Sequence, residues 1–415
     1  MVKELNRKMK DSGVEWIGEI PEDVDIISNK YLFKYIKGKN PKEFNSEKRG
    51  LPYIGASDLE KDGDIHDYEN YSIEELPTVE KDETLVLWDG ARAGLIGIGH
   101  TGYIGSTIVK VIPRVDYVDK KYWYWYLKGF QPLLLDWVGG TTIPHMNRKF
   151  INEIKFINFP LSQQKSIADF LDKKTKEINN IISKTKKAIE EYKKYKQSLI
   201  TETVTKGLDK NVEMKDSGIE WLGEIPEHWD VIRLQSLVKL RDSKGLYNPK
   251  EDLYIGLENI ESYTGKYMST NTKYEESMYS EFKSKDILFN TLRPYLTKVY
   301  LTNSSGYCTS EFLIIKEYMG IKKYLFYQLI NSRFIELINS STYGSKMPRA
   351  NWNFMKDIYL PISPLEEQEQ ISNYLDEKTN QIDQIISTKE KLLTEMEAYK
   401  KSLIYETVTG KREVK

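Results

Sequence analysis

The chain contains two copies of one framework. MKDSGVEWIGEIPE at 9–22 returns as MKDSGIEWLGEIPE at 214–227, with only Val14/Ile219 and Ile17/Leu222 exchanged. The stretch from Ile167 to Thr205 returns in outline from Ile371 to Thr409, so both copies lie about 205 residues downstream of their originals. A period this long implies two whole domains rather than a stack of small repeats. Between the shared blocks, at 23–160 and 228–364, the halves share only scattered anchor residues. A constant framework around divergent inserts predicts one scaffold carrying two dissimilar heads.

From Gln164 to Thr205 there is neither proline nor glycine, and the apolar positions Leu171, Ile178, Ile182, Ile189, Tyr192 and Leu199 step by near-heptads. The second copy repeats the seam with Leu375, Ile382, Ile386, Leu393, Met396 and Leu403. Each stretch begins after a proline, Pro160 or Pro364, where a helix naturally opens. Some forty residues make a rod of roughly 60 Å. Lys173, Lys174, Lys186, Lys187, Glu190 and Glu191 keep its outer face in water. A rod with a single apolar stripe needs a partner. The other copy is expected to supply it, antiparallel, about an approximate two-fold axis. The seam residues then have a structural task, and the paired rods act as a spacer between the heads.

The inserts carry their own patterns. LPYIGASDLEKDGDI (51–65) aligns with DLYIGLENIESYTGK (252–266) at a strand end and a polar turn. TLVLWDGARAGLIGIG (84–99) reads as strand, glycine-rich turn and strand, and DILFNTLRPYLTKVYL (286–301) occupies the same place. KKYWYWYLKGF (120–130) matches KKYLFYQLI (322–330) as a buried helix, which favours core packing over base stacking for its aromatic cluster. GGTTIPHMNRKFINEIKFINFP (139–160) aligns with YGSKMPRANWNFMKDIYLPISP (343–364) and contains an exposed turn. Strands and helices alternate irregularly, so the expected class is α/β in the mixed α+β sense. Two globular domains stand apart on two long antiparallel helices packed as a coiled coil. The expected boundaries are 1–160 and 208–364 for the heads, 161–207 and 365–415 for the helices.

Composition narrows the function. The 415 residues are 40 % apolar and carry a formal charge of −1, which excludes a uniformly basic coat and leaves room for a local basic face. A single cysteine, Cys308, excludes a disulfide framework. His66, His100, His145 and His228 have no metal-ligand spacing, so no metal or cofactor is expected. The first residues lack an apolar leader and no apolar run reaches membrane-spanning length, which predicts a cytoplasmic protein with no membrane partner.

The tandem arrangement, the YIG segment, the loops with Arg92 and Arg293, the Gly-to-Pro turn and the P-L-x-x-Q motif (Pro160-Leu161-Gln164; Pro364-Leu365-Gln368) before each long helix resemble the specificity subunit of type I restriction–modification systems. The resemblance covers essentially the whole chain, and both repeats are expected to be complete rather than truncated. It implies a non-catalytic subunit with two target-recognition domains, each reading one half of a bipartite, asymmetric site in double-stranded DNA. Two methyltransferase subunits and the restriction subunits would supply the catalysis. The helices would dock both kinds of subunit, and the helix ends, the exposed Tyr and Lys faces and the 9–22 and 214–227 blocks are the expected docking surfaces of the methyltransferase.

Base readout favours arginine, whose fork meets guanine O6 and N7 together, and Asn or Gln, which do the same for adenine. The candidate DNA-binding residues of the first half are Arg92, in a turn flanked by Gly90 and Gly94, with Thr141, Thr142, His145 and Arg148. In the second half they are Asn290, Arg293, expected as the counterpart of Arg92, and Tyr295, with Lys346, Arg349 and Asn351. No N-P-P-[YF] or D-P-P-[YF] methyltransferase loop and no G-x-x-x-x-G-K-[ST] loop is present, so neither methyl transfer nor ATP hydrolysis is expected. Two alternatives stay open. A metal-dependent nuclease using the Glu153-Ile154-Lys155 triplet requires cleavage by the isolated chain, lost in Glu153→Ala; a coiled-coil scaffold with no DNA role requires the absence of salt-sensitive duplex binding.

Overall fold

The computed structural model describes residues 8–60, 67–137, 145–146, 151–152, 154–342 and 347–414. They divide into two compact units, Met1–Thr185 with Lys391–Lys415, and Lys186–Glu390. Each unit therefore holds one head and part of each long helix, Leu161–Lys206 and Leu365–Val408.

In the first unit, β-rich segments such as Ile-Val-Lys-Val-Ile build an antiparallel sheet in the order Phe33–Lys37, Ile108–Pro113, Thr84–Leu87, Ile96–Gly97. A second sheet runs Tyr71–Ser72, Leu51–Ile54, Gly102–Ile104, Thr78–Val79, with its central pair parallel. The helix Lys120–Gly129 opens at Asp119, whose carboxylate accepts the Tyr122 amide at 2.9 Å. It buries its whole aromatic run, with the Trp123 and Phe33 rings stacked 3.7 Å apart. These rings are core, as the repeat alignment predicts.

The second unit repeats the plan. Its first sheet runs Val238–Leu240, Phe312–Tyr318, Ile287–Asn290, Val299–Leu301, covered by the helix Lys322–Leu329. Its second sheet runs Lys244–Tyr247, Ser277–Phe282, Gly306–Cys308, Tyr254–Ile255, and the last two strands are parallel.

The P-L-x-x-Q motif has a mechanical meaning. Gln164 is fully buried, and its carboxamide accepts the Asp119 amide at 2.9 Å while donating to the carbonyls of Tyr117 and Phe159. Gln368 does the same in the second unit, accepting the Ile321 amide at 2.9 Å and donating to the Ser363 carbonyl at 2.8 Å. One side chain thus joins the start of the long helix, the preceding strand and the start of the aromatic helix. About two turns further on, Asp172 accepts from Lys121 and from the Trp125 indole, both at 2.8 Å. Asp376 accepts from Lys323 and from the Tyr327 hydroxyl in the same way. These two joints seat each head on its helix.

The seam residues are buried or half-buried in both units. In the second unit Lys196 donates to Asp383 at 2.7 Å and Lys389 lies over the Tyr192 ring, so the partners descend as the first helix ascends: the two segments are antiparallel. In the first unit Lys400 donates to Asn179 at 2.7 Å, the same two repeat positions with their helices exchanged.

Candidate nucleic-acid interface

The strand Thr84–Leu87 leaves the core of the first head, turns, and returns through Leu95; Ile287–Asn290 does so in the second head and returns through Lys298. Both hairpins stand on a buried carboxylate. Glu83 accepts the Glu80 amide at 2.9 Å and pairs with Lys110 at 2.8 Å. Asp286 accepts the Lys283 amide at 2.9 Å and pairs with Arg241 at 2.7 Å. Though Lys110 comes from the strand Ile108–Pro113 and Arg241 from just past the strand Val238–Leu240, the bracket is the same.

Hydrogen bonds fix the register of the tips. Leu87 and Asn290 donate to the carbonyls of Leu95 and Lys298, which closes hairpins of equal length. The Ala93 amide donates to the Gly90 carbonyl at 2.9 Å, and the Leu296 amide to the Arg293 carbonyl at 2.9 Å. Left-handed backbone matches too: Gly90 and Gly94 have φ of 114° and 93°, Arg293 and Thr297 of 53° and 47°. Gly90 therefore corresponds to Arg293, and Arg92 corresponds to Tyr295. This corrects the expectation that the two arginines are counterparts. The pairing of identical residues misleads because the frame is set by backbone hydrogen bonds, and here an arginine occupies a conformation that glycine adopts without strain.

The second candidate loop lies beside each tip. Asp89 forms a β-bridge with His145, and the Met146 amide donates to the Trp88 carbonyl at 2.8 Å. Leu292 bridges Arg349, the Arg293 amide donates to the Pro348 carbonyl at 2.7 Å, and the Ala350 amide to the Thr291 carbonyl at 2.8 Å. Arg92 and His145 are thus brought to one exposed edge of the first head, and Arg293, Tyr295 and Arg349 to the same edge of the second. Asp89 tempers the first edge by accepting from Lys37 at 3.0 Å and contacting the His145 imidazole. Glu311 lies 3.9 Å from the Arg349 guanidinium. Beneath the second tip, burial pulls Lys298 below the usual lysine range, and its ammonium donates to the Leu257 carbonyl at 2.7 Å.

Asn290 differs from the expectation of an exposed contact: it is fully buried, and its carboxamide donates to the Leu292 carbonyl at 2.7 Å and accepts the Lys298 amide at 3.0 Å, so it braces the hairpin. Asn351 is exposed but caps the short helix Trp352–Met355 by accepting the Asn353 amide at 2.9 Å. Thr141, Thr142, Arg148, Lys346 and Glu153 lie outside the described residues. The brackets at Glu83, Asp286, Gln164, Gln368, Asp172 and Asp376 were not among the candidate residues; their signal is recurrence in both copies.

The model of the type I restriction modification DNA specificity domain matches this chain twice, over residues 21–191 and 226–395. The chain belongs to this family. Among relatives of this DNA specificity family, the MjaVIII specificity subunit of Methanocaldococcus jannaschii is 29 % identical, over 95 % of this chain and 94 % of its own length. The EcoDI specificity subunit of Escherichia coli is 22 % identical over 61 % of each chain. A solved structure concerned with complex assembly and conformational transition of the type I R-M system covers 91 % of this chain and 97 % of its own, with a TM-score of 0.65 at 12 % identity, a likeness of fold. Among the described residues no helix is long and apolar enough to cross a membrane.

Proposed function

We infer that the chain is the sequence-reading, non-catalytic subunit of a type I restriction–modification complex. Each head, at 1–160 and 208–364, reads one half of a bipartite, asymmetric site in duplex DNA. Methyltransferase and restriction subunits assemble on the chain and perform the chemistry. The reading rests on one observation above all: a family framework present twice, each copy presenting the same hairpin with different exposed side chains. Arg92 and His145, with Thr141, Thr142 and Arg148 from the adjoining segment, are the proposed contacts of the first head. Arg293, Tyr295 and Arg349, with Lys346 and Asn351, are those of the second. Cytoplasmic location follows from a chromosomal target.

Two heads are needed for a quantitative reason. A bidentate base contact discriminates by about 1–3 kcal/mol, whereas specific DNA sites typically exceed non-specific ones by about 4–10 kcal/mol. One such contact falls short, and a few reach only the lower part of that range unless every one is near its best. Two heads on one chain add their discrimination, because the second binds at the effective concentration set by the first.

Expressing the chain with methyltransferase subunits of its system and sequencing the methylated bases is expected to return one bipartite motif. Methylation without sequence preference overturns the reading.

A further inference from the structure

The geometry points to position 92 of the first head, and its structural equivalent 295 in the second, as a transferable specificity position: Arg92 selects a guanine at one fixed place in the first half-site, and Tyr295 denies the second head that requirement. This rests on the DNA-reading function proposed above and goes beyond it by assigning one base to one side chain. Three observations carry it. The two tips share their length, the bond that closes the hairpin, the turn bond from Ala93 or Leu296 and both left-handed positions, so 92 and 295 occupy the same place in the turn. Both side chains are exposed at the crest, while Gly94 and its equivalent Thr297 are buried at the foot of the turn. The edge beside each crest also differs, with His145 bridged to Asp89 in the first head where the second has Arg349 bridged to Leu292, so identity varies where the frame does not.

The chemistry of the two side chains differs in kind. A guanidinium presents parallel N–H donors to the O6 and N7 acceptors of guanine, a match no other base edge offers. A phenol has one hydroxyl and a flat ring, so it cannot form that fork. The arginine of the second head sits instead at Arg293, two residues earlier on the tip, with its backbone amide held by the Pro348 carbonyl. A guanine read from there falls at a different place relative to the frame.

The test exchanges the two residues singly, Arg92→Tyr and Tyr295→Arg, in the full chain assembled with methyltransferase subunits. Each assembly selects sites from a random duplex pool, at low salt so that phosphate contacts retain DNA and base preference alone is compared. Arg92→Tyr is expected to lose about tenfold or more of the preference for one guanine in the first half-site and to leave the second half-site unchanged. Tyr295→Arg is expected to gain a guanine preference in the second half-site only. Both positions are exposed, so folding is preserved, and thermal unfolding of each variant checks it. If the unaltered assembly selects a bipartite motif and both exchanges select the identical motif, this assignment is wrong while the function stands. If the unaltered assembly selects no motif, the function itself fails.

Discussion

The two heads share a frame and differ at its margins, and the pattern of difference separates what holds a head from what individualises it. The aromatic helix, the first sheet, the Gln164/Gln368 brackets and the Asp172/Asp376 joints recur. The second sheets have a common core of three strands, one parallel pair and one antiparallel neighbour, but grow in opposite directions. In the first head Tyr71–Ser72 adds beside Leu51–Ile54; in the second Lys244–Tyr247 adds beside Ser277–Phe282. Edge strands tolerate such change because nothing else depends on their outer hydrogen bonds. The helix contacts differ in places, and most plainly here: Asp383 holds both Lys196 and Lys266, whereas Asn179, at the same repeat position, is neutral. Interior polar brackets are therefore duplicated faithfully, while edges, tips and surface charges are free to diverge.

The largest expected effect tests whether the hairpin brackets are equivalent. Glu83→Ala and Asp286→Ala each strand a cation, Lys110 or Arg241, that is nearly or mostly buried. Removing one partner of such a pair costs about 3–5 kcal/mol. Denaturant unfolding of the two variants is expected to show losses of similar size. A loss confined to one head, with the other variant as stable as the parent, breaks the equivalence of the frames.

A smaller effect, on recognition rather than stability, tests independence of the heads. Arg92→Ala is expected to relax only the first half-site and Arg293→Ala only the second, each by about 1–3 kcal/mol of discrimination, read by competition between matched and single-mismatch duplexes. One substitution that blurs both half-sites contradicts separate readers.

Much of this architecture is legible in the residues, for reasons that differ by element. The long helices are visible because a 3.6-residue period sustained over forty residues has few alternatives, and because two copies agree. The strand–turn–strand of 84–99 is visible in its apolar runs and glycines. The register of the tips is not, since Arg92 and Arg293 attract alignment by identity while the equal hairpin length appears only in backbone hydrogen bonds. Asn290 misleads in another way: an asparagine suits adenine and suits a turn bracket equally, and only burial separates the two. Asp172 and Asp376 recur in LDKKT and LDEKT, yet in a helix so rich in charge an aspartate reads as solvated until its indole or phenol partner is seen.

The smallest predicted effect concerns a helix contact that the heads do not share. Lys266 reaches from the second head to Asp383 at 2.7 Å, across the rim of a cavity of about 1090 Å³ that Lys193, Lys194 and Arg333 also line. The contact resembles a strut, but its two ends are unequal. The Asp383 carboxylate is already met by Lys196, which is 7 % exposed in its side chain, whereas the Lys266 side chain is 51 % exposed and well solvated. Water competes for the Lys266 ammonium and salt screens it, so a pair of this kind contributes about 0–1 kcal/mol. Lys266→Met is therefore expected to leave unfolding nearly unchanged and both half-sites intact. Asp383→Asn, which deprives the buried Lys196 of its charge partner, is expected to cost clearly more. Were Lys266→Met as damaging as Asp383→Asn, the second head would depend on a surface tie that the first lacks, and the division between duplicated interior and free margin would not hold.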